Sequence, residues 1–211
     1  VADDAQNKTI ASTYFYDNLK VIENGKEQEY TLAKKFYKAL EEMYNEGDFL
    51  DGEVEYSVTE HDIVTSSQLE AWVVGGDVTV PKAFSAARDA FLTDHPELFY
   101  IDFYKMTISV GRSSGVYSGY IDSGREANLY CDNSFNSVEQ VNAAIKEYNA
   151  TIDEIATKAL NAQKDNKYYQ RDEFLVKYVN KYLAESIEYD YAALENNSAT
   201  ASSNINTSYG G

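Results

Sequence analysis

Cysteine and histidine are scarce in this chain of 211 residues, which contains one cysteine, Cys131, and two histidines, His61 and His95. A single cysteine excludes an intrachain disulfide framework and a cysteine-rich zinc site. Two histidines leave little room for histidine-based catalysis. No segment approaches the roughly 20 consecutive apolar residues of a membrane helix, so we expect no membrane insertion. The composition therefore argues against an active site in this chain.

Positive charge is also in short supply. Eighteen Lys and Arg residues stand against thirty-five Asp and Glu residues, which gives a formal net charge of −17 at pH 7. A phosphate backbone is repelled by such a chain, so we expect no nucleic-acid partner. Anionic membrane surfaces are disfavoured for the same reason.

What the sequence does contain is enough apolar material for a folded core. Apolar residues make up 44% of the chain and aromatic residues 14%, which argues against disorder despite the charge. The first residues, Val1-Ala2-Asp3-Asp4, lack the basic and apolar regions of a signal peptide. An acidic, Tyr-, Asn- and Ser-rich sequence with almost no cysteine is typical of secreted or cell-surface proteins, although a cytosolic protein can share it.

Apolar residues spaced by three and four positions predict four long helices. The first runs from Glu29 to Glu46 and stops at Gly47, and the second opens at Pro81 and ends at His95-Pro96. The third begins at a capping box, Ser137 to Gln140, and reaches Gln163. The fourth covers about Arg171 to Glu188, with seven residues predicted to face inward: Phe174, Leu175, Tyr178, Val179, Tyr182, Leu183 and Ile187.

Other segments carry strand patterns. Alternation over Val54–Val58 predicts one strand. The β-rich residues 98–131 predict several more, with Gly111–Gly115 as a hairpin loop. Because the connections between these strands are short, we expect neighbouring strands to pair antiparallel. Residues 14–19 form either a strand or an anchoring segment, and residues 60–70 form either a loop or a short helix. The predicted fold is α+β: a small antiparallel sheet flanked by helices, with two long C-terminal helices.

This pattern divides the chain into three regions. Residues 1–135 form an N-terminal α+β region and residues 136–195 a helical region. Residues 196–211 are almost entirely Asn, Ser, Thr, Ala and Gly, and they form a flexible polar tail that lacks the apolar area to fold alone.

The densest polar cluster is Asp94-His95-Pro96-Glu97. Two carboxylates that flank an imidazole can orient it or share a metal ion with it. The alternative is a structural corner, in which Pro96 stops a helix and Asp94 or Glu97 bonds to local backbone. We favour the corner, because no nucleophile accompanies the cluster in sequence.

Three further candidates are weaker. Cys131 lies at the end of a predicted apolar strand, which favours an inert buried thiol over a nucleophile. An acidic turn supplies possible calcium ligands but does not match the EF-hand loop; its members are Asn45, Asp48, Asp51 and Glu53. Six tyrosines could stack on sugars, although half-buried sheets use tyrosine in the same way: Tyr14, Tyr16, Tyr100, Tyr104, Tyr117 and Tyr120. We predict no catalytic, cofactor-binding or metal-ligating residue and no cofactor.

Two segments together resemble a known family. Residues 86–100, Ala-Ala-Arg-Asp-Ala-Phe-Leu-Thr-Asp-His-Pro-Glu-Leu-Phe-Tyr, resemble the A-F-x-x-D-H-P-E-L-F-W segment of secreted transglutaminase-like proteins of Gram-positive bacteria. Tyr100 stands where that segment has tryptophan. Residues 174–190 are similar to the helix, ending in Tyr-Asp, that begins the transglutaminase-like core. Thr207–Gly211 looks like the A-Y-G-x-L segment that precedes the family's catalytic cysteine.

The resemblance implies that the family's catalytic Cys, His and Asp, which perform acyl transfer or peptide-bond hydrolysis, lie beyond Gly211. The chain is then a catalytically incomplete N-terminal portion of a secreted or cell-surface protein of a Gram-positive-type bacterium, and residues 136–195 include the start of the core. Its expected partner is its own downstream catalytic domain, with a protein or a cell-wall polymer as a further partner.

Two other hypotheses remain open. The chain is alternatively a complete, noncatalytic cell-surface module that binds polysaccharide or protein. The least favoured hypothesis is a metal- or His-dependent hydrolase built on Asp94, His95 and Glu97.

Overall fold

The computed structural model describes residues 13–47, 49, 55–101, 105–122, 135, 137–167 and 169–186. They form an α+β fold with two small antiparallel sheets and two long C-terminal helices, which confirms the predicted fold class. The chain divides into two compact units, Thr9–Leu129 and Tyr130–Gly211, the latter together with Val1–Lys8. The predicted polar tail, residues 196–211, and Cys131 lie outside the described residues.

The first unit starts with a short helix and a β-hairpin. Helix α1 spans Tyr14–Asp17, so residues 14–19 do not form the strand that was one of our two expectations. Strands β1 (Lys20–Glu23) and β2 (Lys26–Glu29) pair antiparallel. Asn24 and Gly25 join them with φ angles of 52° and 73°, the left-handed pair of a type I′ turn.

Helix α2 spans Thr31–Glu46, as the apolar spacing predicts. It ends at Gly47, whose φ of 83° places it in the left-handed region that favours glycine. Six side chains of one face are buried: Ala33, Phe36, Tyr37, Ala39, Leu40 and Met43.

A short strand and a short helix follow. Strand β3 covers Glu55–Ser57. Helix α3 covers Ser66–Val73 and begins at a capping box, in which Thr65 Oγ1 accepts the Gln68 N–H and the Gln68 side chain accepts the Thr65 N–H. For the segment 60–70 we expected either a loop or a short helix, and the structure shows that a helix begins within it, at Ser66.

Helix α4 spans Thr79–Asp94, so it begins two residues before Pro81, which lies in its first turn. His95 caps the C-terminal end, as predicted. We expected a strand to begin at Leu98, and this prediction was wrong because Pro96–Leu98 form a 3₁₀ turn. Proline at the first position fixes φ for a helical turn, and this local constraint outweighs the β propensity of the residues that follow.

Strands β4 (Thr107–Ser113) and β5 (Val116–Asp122) form a hairpin, and β3 pairs with the other edge of β5. The antiparallel pairing confirms the prediction. The loop is shorter than the predicted Gly111–Gly115, because only Ser114 and Gly115 turn, with φ angles of 50° and 83°. Residues 123–131, the last part of the segment predicted to form several strands, lie outside the described residues.

Helices α2 and α4 bury their apolar faces against each other and supply most of the core of this unit. Phe36 meets Phe84 with ring centroids 5.4 Å apart. Phe91 is fully buried and contacts Tyr37 at 5.2 Å and Phe49 at 6.2 Å. The Phe36–Phe84 and Tyr37–Phe91 pairs are edge-to-face, and pairs of that kind add about 0.5–1.5 kcal/mol each beyond simple burial.

The second unit contains two helices, α5 (Val138–Lys164) and α6 (Arg171–Ser186). Ser137 caps α5 by accepting the Gln140 N–H, as predicted. The three- and four-residue spacing along α5 predicts a buried seam of six residues, of which Tyr148 and Ile152 are half-buried and four are buried: Val141, Ile145, Ile155 and Ala159. In α6 no described residue is buried, and Leu183, which we expected to face inward, is 39% exposed. Ile187 lies outside the described residues.

A paired glycine substitution tests the packing of α3 on the sheet. A Cβ on Gly119 in β5 would lie 3.0 Å from Val58 Cγ2 and 3.1 Å from Leu69 Cδ1, whereas a Cβ on Gly111 in β4 would meet only Ser118 Oγ, at 3.7 Å. We expect Gly119→Ala to lower the free energy of unfolding by about 1–3 kcal/mol through overpacking, and Gly111→Ala to leave it nearly unchanged. Urea titrations of both variants measure this, and equal losses would contradict the packing described.

Candidate functional site

Asp94 ends α4 and is fully buried. Its Oδ1 accepts the Phe15 N–H at 3.1 Å, and its Oδ2 accepts the Tyr16 N–H at 3.0 Å. The first amides of a helix have no acceptor within the helix, and Thr13, the N-cap of α1, supplies none through its side chain. Asp94 therefore caps α1 from a distance of nearly eighty residues along the chain.

A third donor completes this arrangement. The Tyr37 hydroxyl donates to Asp94 Oδ2 at 3.0 Å, so the carboxylate joins α4 to α2 as well as to α1. A buried charge is tolerated only when hydrogen bonds replace its water shell, and three strong donors do so here. Asp94 bonds to distant backbone, unlike the local backbone that the corner hypothesis named.

His95 and Glu97 form a separate pair. His95 is 5% exposed, and its Nδ1 lies 2.9 Å from Glu97 Oε1, which also accepts the Tyr44 hydroxyl at 3.1 Å. The imidazole packs against Phe91 with ring centroids 4.3 Å apart. Because the carboxylate oxygen is an acceptor, Nδ1 carries the proton in this contact. The described hydrogen bonds thus direct Asp94 toward α1 and α2, and His95 toward Glu97.

The remaining candidates are distributed over the fold. Tyr100 and Tyr117 are buried, Tyr14 is exposed and Tyr120 is half-buried. Asn45 is exposed near the end of α2, while the other proposed calcium ligands and Tyr104 lie outside the described residues. Over the described part of the chain, no group of three or more His, Cys, Asp or Glu residues is arranged to hold a metal ion.

An open cleft of about 470 Å³ lies on the first unit, bordered by α1, the end of β2, α2 and the segment 56–63. This volume falls within the range of about 300–1,000 Å³ that is usual for small-molecule sites. We call it the Tyr16 cleft and define it by six of its lining residues: Tyr16, Lys34, Lys35, Lys38, Tyr56 and His61.

Three lysines of α2 line the Tyr16 cleft. The Nζ atoms of Lys34 and Lys38 lie 4.8 Å and 4.7 Å from the centre of the Tyr16 ring, within the range of cation–π attraction. Lys35 Nζ donates to the Asp62 carbonyl at 3.1 Å. Three lysines therefore line the cleft together with three acidic residues, Glu29, Glu42 and Asp62.

The opposite wall is flat and aromatic. The rings of Tyr56 and His61 stack with centroids 4.2 Å apart and an interplanar angle of 22°. His61 Nδ1 lies 2.7 Å from the Ser57 carbonyl oxygen, so this nitrogen carries the proton and the ring is held in place. Tyr56 is 9% exposed and its hydroxyl donates to Glu42 at 2.5 Å, whereas His61 is exposed and presents its ring to the cleft.

The Tyr16 cleft was not identified from the sequence as a site. Tyr16 was named among the tyrosines that could stack on sugars, but the three lysines follow the exposed side of a helix and look like an ordinary solvated face. The available signal is the spacing of Lys34, Lys35 and Lys38, which places three ammonium groups within about one helical turn. Their partner ring comes from α1, and no helix was predicted there.

Comparison of the chain with protein-family models, with curated proteins and with solved structures finds no match. Among the described residues, no helix is both long and apolar enough to cross a bilayer.

Two buried phenols make stability depend on pH in the alkaline range. Burial, followed by the hydrogen bond to Asp94 and its negative charge, raises the pKa of Tyr37 above its usual value near 10. Burial and the hydrogen bond to Glu42 likewise raise the pKa of Tyr56. Above about pH 10 the unfolded chain releases these protons while the folded chain retains them, so stability is fully present below that pH and falls above it.

We expect the free energy of unfolding to fall between about pH 9.5 and 11, and to fall less steeply in Tyr37→Phe. At neutral pH the same variant should lose about 1.5–3 kcal/mol, because the hydrogen bond that it removes has a charged acceptor. Urea titrations across this pH series measure both effects, with Tyr56→Phe as the second arm. A Tyr37→Phe curve parallel to that of the unmodified chain would contradict the role of this hydroxyl.

Proposed function

We propose that this chain is a noncatalytic accessory region of a secreted transglutaminase-like protein. The acyl transfer or peptide-bond hydrolysis of that family needs a Cys, a His and an Asp, which a following segment would supply. The observation that carries the proposal is that the Asp94-His95-Pro96-Glu97 corner, the most specific part of the resemblance, serves to hold the fold together.

The chemistry of this corner argues for support rather than catalysis. A general base or metal ligand needs a lone pair that a substrate or ion can reach. Asp94 and His95 are 0% and 5% exposed, and the two oxygens of Asp94 accept hydrogen bonds from two amides and one phenol. A substrate would have to displace these donors and disassemble the contact of α1 with α4.

The second segment of the resemblance, on α6, also suits an accessory role. None of its described residues is buried, and the apolar side chains of Val176 and Leu183 are 60% and 39% exposed. The neighbouring Phe174, Leu175, Tyr178 and Val179 are half-buried. Apolar area of this kind on a helix is typical of a surface that another segment covers, and in this proposal the catalytic segment covers it.

The sole thiol of the chain gives this proposal a direct test. We expect the 211-residue chain to show no thiol-dependent incorporation of a fluorescent amine into a casein substrate and no thiol-dependent peptidase activity, because Cys131 precedes the segment similar to the core. Cys131→Ser is the matched control and should give the same background signal. Incorporation by the unmodified chain that disappears in Cys131→Ser would overturn the noncatalytic role.

The Tyr16 cleft favours a second candidate, a noncatalytic module that binds saccharide. A sugar ring presents an apolar C–H face and a rim of hydroxyl groups, which requires flat apolar walls beside polar side chains. The stacked rings of Tyr56 and His61 supply such a wall, and the lysines of α2 with Glu42 supply the polar rim. The two candidates are compatible, because an accessory region can also hold the substrate polymer.

A further inference from the structure

We propose that the Tyr16 cleft binds a sugar that carries a carboxylate, with Lys34 and Lys38 as the groups that recognise the carboxylate. This inference rests on the saccharide-binding role described above and adds the charge class of the ligand.

The first argument is the concentration of ammonium groups. Lys34 and Lys38 lie one helical turn apart, and both approach the ring of Tyr16. Like charges at this spacing repel each other on a helix, so an anion between them relieves that repulsion. The attraction of both groups to the ring restricts where they lie before a ligand arrives, which lowers the entropic cost of binding.

The second argument is that the internal partners of these lysines are easily exchanged. Lys34 pairs with Glu29 at 3.1 Å, and their side chains are 16% and 61% exposed. Lys38 pairs with Glu41 at 2.6 Å, with side chains 53% and 31% exposed. Exposed ion pairs contribute about 0–1 kcal/mol, which describes the Lys38–Glu41 pair, and in the Lys34–Glu29 pair the exposed partner is the carboxylate that a ligand would replace.

The third argument concerns the size of the anion. The net charge of −17 repels a long polyanion such as nucleic acid, whose charges extend over the acidic surface. At physiological ionic strength this repulsion is screened beyond about 8 Å, so a single carboxylate in the cleft interacts mainly with the groups that line it: three lysines, which attract it, and the carboxylates of Glu29, Glu42 and Asp62, which repel it. The cleft therefore suits one carboxylate that replaces Glu29 or Glu41 beside a lysine, and no larger negative charge.

The fourth argument is the geometry of the wall. His61 is fixed by its Nδ1 contact with the Ser57 carbonyl and stacked on Tyr56, so its exposed face is a rigid platform for the C–H face of a sugar. Its Nε2 accepts a hydrogen bond from a ligand hydroxyl when the ring is neutral. Ala39 and Ile63 are buried residues that also line the cleft and contribute apolar surface to it.

Calorimetric titration of the full chain with three probes tests this proposal: sodium D-glucuronate, methyl β-D-glucoside and sodium acetate. We expect glucuronate to bind at least about tenfold more tightly than either of the other probes. Lys34→Gln/Lys38→Gln should weaken glucuronate binding at least about tenfold and glucoside binding by no more than about threefold, because glutamine keeps a hydrogen-bond donor for the sugar hydroxyls but loses the charge. His61→Ala should weaken the binding of both sugars.

Lys167→Gln/Lys181→Gln is the matched control, since it removes two exposed lysines of the second unit and changes the net charge equally. It should bind glucuronate like the unmodified chain, and a thermal melt of each variant verifies folding. Equal binding of glucuronate and glucoside would overturn the carboxylate inference and leave the saccharide role intact. Acetate binding as tight as that of glucuronate would overturn the proposal that the ligand is a sugar. If neither sugar binds, both the saccharide-binding role and the recognition of a carboxylate are overturned.

Discussion

The buried carboxylate of Asp94 is the interaction on which the first unit depends. It accepts two backbone amides from α1 and the hydroxyl of Tyr37 from α2, while its own backbone ends α4. Removal of a buried acceptor leaves its donors without a partner, at a cost of about 1–3 kcal/mol for each group. Helix α1 has four residues and no buried side chain, so its position rests on this carboxylate together with the contact of the Tyr16 ring with Tyr37, at 4.9 Å between centroids.

The position of α1 in turn determines the Tyr16 cleft. Tyr16 provides the ring toward which Lys34 and Lys38 converge, and its amide is one of the two that Asp94 accepts. The Asp94-His95-Pro96-Glu97 corner and the Tyr16 cleft are thus structurally linked. Asp94 is not one of the residues that line the cleft, so in the proposed binding it would act by holding α1.

The helices were predictable because their signal is local. The apolar faces of α2, α4 and α5 follow the three- and four-residue spacing of buried positions, and Gly47 and His95-Pro96 mark ends that backbone chemistry determines. The hairpin of β1 and β2 was missed because β2 is entirely polar and the two apolar residues of β1, Val21 and Ile22, are adjacent, so no alternation marks either strand. Only the Asn24-Gly25 turn signalled it.

The sites were less predictable, because their contacts join residues far apart in sequence. The cluster of Asp94, His95 and Glu97 was found as a pattern, but its division into a cap for α1 and a His95–Glu97 pair depends on how α1 and α2 pack. Similarly, Lys34 and Lys38 gain their common ring only through the placement of Tyr16. Spacing along one helix does not contain that information.

Amide hydrogen exchange at Phe15 and Tyr16 tests the central role of Asp94 most directly. We predict that both amides are protected in the unmodified chain and that at least one loses its protection in Asp94→Asn, since the amide side chain offers one acceptor oxygen in place of two. Protection within α5 should not change. Rapid exchange of both amides in the unmodified chain, or equal protection in Asp94→Asn, would contradict the account.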